Sequence, residues 1–151
     1  MASEAHRTVA HELRLSRPDA PASYFHGQTM LPHLVEGDWV VTEPVRAEDV
    51  RLGDVVTYRF EDKFPTRRVV ARDRRTRTFT MMGDSIPGRR DYLVPFDDVL
   101  ARVVKRQRGD AWLATSDRSW RWQTAKVVTR EWARRAPALA PVRWATRPLR
   151  R

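Results

Sequence analysis

No cysteine occurs among the 151 residues. That excludes a disulfide framework and a thiolate metal site. Long apolar runs are missing too: no segment approaches the roughly 18 to 20 residues that span a bilayer. The N-terminus also lacks an apolar signal-peptide core. These absences predict a chain at work in a reducing, cytoplasmic compartment, with no cofactor and no metal. His6 and His11 are five apart with no third ligand in view, so they read as solvated histidines near a terminus. Apolar residues make up 41%, low for a fully globular chain but enough for one domain with a core and a tail. Glycine is scarce at six residues.

Acid is what the last third lacks. From Arg102 onward there are fourteen lysines and arginines against Asp110, Asp117 and Glu131. Residues 1–101 hold fifteen basic and sixteen acidic side chains, close to neutral. The net charge of +10 therefore belongs to the tail. Trp112, Trp120, Trp122, Trp132 and Trp144 lie in the same third, leaving Trp39 alone outside it.

Three segments follow. Residues 1–23 form an entry segment and a linker marked by Pro18 and Pro21. Residues 24–116 carry runs rich in valine, threonine and aromatics: Trp39 to Thr42, Asp54 to Phe60, Thr66 to Arg72, Arg77 to Met82 and Val99 to Arg106. Ala111 to Thr115 is expected to pair back across Arg108-Gly109-Asp110. Short strands with a turn signal every ten or so residues predict a mainly β fold, an antiparallel, partly closed sheet. Residues 117–151 form a basic, Trp-rich helix and tail. The helix is expected from Ser119, as N-cap, to Ala136, with Ala125, Val128, Trp132 and Ala136 on one inward face and Arg130, Arg134 and Arg135 toward water.

Within the β segment one stretch stands out: Gly27-Gln-Thr29-Met30-Leu-Pro32, followed by Gly37-Asp38 and the strand Trp39-Val40-Val41. Gly27 allows a turn that a residue with a Cβ resists, and Pro32 sets the chain direction. Gly53-Asp54 then precedes Val55 to Phe60, Arg67-Arg68-Val69-Val70 follows, and Gly83-Asp84 closes the series. This order resembles the serine peptidase superfamily of signal peptidase I and the LexA-type self-cleaving repressors. The resemblance covers about residues 24 to 104. It implies a sheet with a peptide-binding groove, a nucleophile at position 29 and a general base at position 67. It further places Gly27, Met30, Pro32, Arg68, Asp84 and Asp91 around the site.

The departures fall on the catalytic positions. Thr29 stands where the family has serine, and Arg67 where it has lysine or histidine. Threonine offers a hydroxyl, though its methyl restricts χ1. A guanidinium stays protonated and has donors but no acceptor. Lys63, His26 and His33 are the alternative bases near Thr29. Without a family base, Asp84 or Asp91 is expected to pair with Arg67 or Arg68.

Three functions follow. One is a degenerate peptidase relative that binds an extended peptide or protein segment alongside a strand. Another is an active peptidase with Thr29 as nucleophile. The last is an anionic membrane surface, or less readily nucleic acid, bound through the tail.

Overall fold

The computed structural model describes residues 22–85 and 92–135. They build one antiparallel, curled half-barrel sheet and a helix. The strands are β1 (Ser23–Tyr24), β2 (Trp39–Pro44), β3 (Val55–Tyr58), β4 (Thr66–Asp73), β5 (Thr78–Met82), β6 (Tyr92–Pro95), β7 (Val99–Arg108) and β8 (Ala111–Ala114). The helix is α1 (Arg118–Arg135). Their order in the sheet is β1-β2-β7-β3-β4-β5-β6, with β8 also paired to β7. Two of these strands, β1 and β6, carry no run long enough to announce itself in the sequence.

Because both faces of the sheet are covered, β3 reads as Val55-Val56-Thr57-Tyr58 with all four residues buried. Alternation along the strand sends Val56 and Tyr58 to one side and Val55 to the other. The first side joins Val69, Phe79, Met81, Val94, Phe96 and Val99. Phe79 and Phe96 stack there with centroids 4.4 Å apart. The second side joins Phe25, Met30, Leu34, Val40, Val103 and Trp120. Bulges at Val41/Thr42, Thr57/Tyr58 and Val69/Ala71 interrupt the ladders, and such bulges bend a strand and raise its twist.

The helix differs from expectation. It begins at Arg118, and Ser119 lies inside it. Trp120 is 3% exposed in the second core cluster, so α1 belongs to the folded unit. Its inward stripe is Trp120, Thr124, Val127, Val128 and Glu131, a 3.6-residue period. Ala125 and Trp132, expected inward, face solvent.

Candidate functional site

The Gly-Asp turns show why that dipeptide recurs. Gly37 and Gly53 sit at φ +94° and +93°, the left-handed region that disfavours a Cβ. The aspartate that follows takes a backbone N–H three residues back: Asp38 accepts from Val35, and Asp54 from Arg51, each at 2.9 Å. Asp117 does the same with Ala114 at 2.9 Å just before α1.

Asp38 also braces the loop that carries Thr29. Arg108 on β7 donates to both its oxygens, at 2.9 and 2.8 Å, and reaches the carbonyls of Pro32 and His33 at 3.3 Å. Burial by itself would raise the Asp38 carboxyl, but Arg108 and the Val35 N–H outweigh it and hold it below the usual carboxylate range. At the loop's start, Gly27 donates its N–H to Glu36, which also meets His26 at 3.0 Å. The Glu36 carboxyl is lowered chiefly by that Gly27 bond.

Beneath the loop lies a buried charged junction. Arg68 is the bulkiest fully buried side chain described. Its Nε and Nη2 grip Asp84 as a fork, at 2.7 and 2.6 Å, with both side chains 0% exposed. Its Nη1 donates to the Gly53 carbonyl at 2.7 Å and the Thr124 hydroxyl at 3.0 Å. One guanidinium therefore ties β4, the Gly53 turn, the Gly83-Asp84 turn and α1 together. His33 brings Nδ1 to 2.7 Å from the Asp84 carboxylate, off the direct line of a hydrogen bond. The other ring nitrogen, Nε2, is buried with no hydrogen-bond partner among the described residues. The Trp120 ring meets the His33 ring edge-on at 5.7 Å. Burial pushes the Asp84 carboxyl upward, and Arg68 with His33 more than reverses that, leaving it below its ordinary value.

Thr29 is half-buried on the loop, and its carbonyl accepts the Ser85 N–H at 3.1 Å, which sets the loop against the Asp84 turn. Arg67 is half-buried on β4, and its Nη1 donates to the neighbouring Thr66 carbonyl at 2.8 Å. No hydrogen bond joins Arg67 to the Thr29 hydroxyl among the described residues. Arg68 and Asp84 form the expected ion pair. Met30 is 0% exposed and belongs to the core, so it packs the loop and does not line an open groove. Pro32 is exposed, with its carbonyl on Arg108. Lys63 is an exposed hairpin residue paired with Phe60. Asp91, His6, His11, Ala136 and Trp144 lie outside the described residues.

Sequence reasoning missed the bracing pair Asp38–Arg108 and the contact of Thr124 with Arg68. Asp38 could have been found as the acid after a turn glycine. Thr124 carries no local signal, because its partner is 56 residues away.

No protein-family model matches the chain, and no curated protein matches it.

Proposed function

We propose that the chain is a non-cleaving relative of the signal peptidase and LexA-type peptidases that binds an extended peptide or protein segment. The observation that carries the reading is Arg67. At the position where that superfamily keeps its base stands a permanently charged guanidinium, with one arm on the Thr66 carbonyl. Such a group cannot take a proton from the Thr29 hydroxyl. Support for the reading comes from the Gly27 turn at φ +110° and the Gly-Asp turns, which stand at the positions that the resemblance uses. β1 is the terminal strand in the sheet order and runs into the Thr29 loop, so its outer edge suits an added strand.

The test is direct. Incubated with a mixed peptide library, the protein is expected to leave every peptide intact over a day by mass spectrometry. Peptides from the same library are expected to be retained on the immobilised protein and released by Leu31→Asp. Cleavage that vanishes in Thr29→Ala overturns the reading.

A second reading rests on His33. Its Nδ1 lies 2.7 Å from the buried Asp84 carboxylate, and a small ring rotation would make the hydrogen bond that orients a general base; its Nε2 makes no hydrogen bond to Thr29 or to any other described residue. Under it, cleavage is present, survives Arg67→Met and is lost in His33→Gln.

A further inference from the structure

Helix α1 has two unlike faces. The side away from Trp120 and Thr124 carries Arg118, Trp122, Lys126, Arg130 and Trp132, all exposed, while Arg121 stands at the sheet-side flank of the helix. Trp122 and Trp132 are 61% and 71% exposed. A covered indole removes about 150 to 250 Å² from water, so two left open among cations offer apolar anchors beside positive charge. The single acid of the helix, Glu131, is turned inward and buried. Lys126 stands over the Trp122 ring with Nζ 3.2 Å from its centroid. Arg121 lines a cleft of about 800 Å³ beside the helix with Arg51 and Lys105, and also with Glu43 and Asp54, so the cleft holds charges of both signs and the basic surface is that of the helix.

We propose that this face lays α1 flat on an anionic lipid surface. The chemistry of the two residue types fits: indoles settle at headgroup level, and cations are drawn to anionic lipid headgroups. No described helix is long and apolar enough to cross a membrane, so α1 lies on the surface. Spacing favours lipid over nucleic acid. Trp122 and Trp132 stand ten residues apart, about 15 Å along the axis. Successive stacked bases lie about 3.4 Å apart, too close for these two rings to form one stacking platform. A lipid plane accepts two anchors at any spacing. This inference does not rest on the peptide-binding reading, since it uses none of the residues around Thr29.

The experiment is flotation of the full-length protein with phosphatidylglycerol vesicles at about 0.1 M salt, where the Debye length is near 10 Å. Phosphatidylcholine vesicles serve as the neutral control. The wild type is expected to float with the anionic vesicles only. Replacing Arg118, Lys126 and Arg130 together by glutamine is expected to weaken partitioning about a hundredfold, from roughly fivefold per cation. Trp122→Ala with Trp132→Ala is expected to weaken it at least about tenfold. Both sets of positions are exposed, so unfolding curves should match the wild type. Three results overturn the proposal: wild type that does not float, either variant floating as well as wild type, or single-stranded RNA displacing the vesicles at low concentration.

Discussion

The two sides of the sheet solve burial differently. Around Phe79, Phe96 and Met81 the core is apolar and built from strands and short turns, whose backbone groups are paired in ladders. Around Arg68 a loop, two turns and a helix converge on the sheet. Those pieces share no ladder, and their carbonyls and hydroxyls must still find partners when buried. A guanidinium with five donors answers that need, at the cost of burying a charge, which Asp84 balances. Strands thus close on apolar side chains alone, whereas this junction of irregular pieces adds a polar hub to its apolar contacts.

The sharpest break of this comparison is Arg68→Met. It leaves Asp84 buried without its fork partner and frees the Gly53 carbonyl and Thr124. The expected loss is about 3 to 5 kcal/mol, measured by urea unfolding at pH 7. A loss under about 1 kcal/mol would show that the junction is wet or loosely held.

Met81→Ala, on the other side, is expected to cost about 3 kcal/mol through cavity formation. The two variants should separate with pH. The Asp84 carboxyl is held below its ordinary value of 3.8. Its contribution is therefore present above that value and fades as pH falls through the lowered, folded-state pKa. Arg68→Met should differ most from wild type at neutral pH, and the gap should narrow as pH falls and the buried Asp84, raised by burial once Arg68 is gone, takes up a proton in the variant before it does in the wild type. The Met81→Ala gap should stay flat, because no titrating group is touched. Parallel pH profiles for the two variants would contradict the polar-hub account.

The smallest effect concerns the closeness of α1 to the hub. A Cβ on Gly53 would stand 2.6 Å from Thr124 Cγ2, at φ +93°. On Gly27, at φ +110°, it would meet nothing within 4 Å. Backbone strain should cost each alanine variant about 1 to 2 kcal/mol, with Gly53→Ala the more destabilised of the two. Equal melting shifts for both would mean that the helix yields without cost.

Much of this was legible in the chain. The runs at Trp39, Val55, Thr66, Thr78 and Val99 became strands because β-branched and aromatic residues sat between clear turn signals. An ion pair of Asp84 or Asp91 with Arg67 or Arg68 was legible as well, and the fold selects Arg68 with Asp84. The inward face of α1 was not. Counting tryptophan and alanine as inward misplaced Trp132 and Ala125, and nothing local says that an arginine on β4 will want the Thr124 oxygen. Likewise Met30 could line a groove or fill a core on sequence alone.

The sequence by itself determined the mainly β architecture, the positions of the turns and the charge asymmetry, because each follows from residue type over a few neighbours. Tertiary structure decided which side of α1 faces the sheet, that Met30 is core, and that His33, Asp84, Arg68 and Thr124 share one buried junction. Those outcomes depend on partners 56 residues apart and more, brought together only when the sheet curls and the loop and helix close over it.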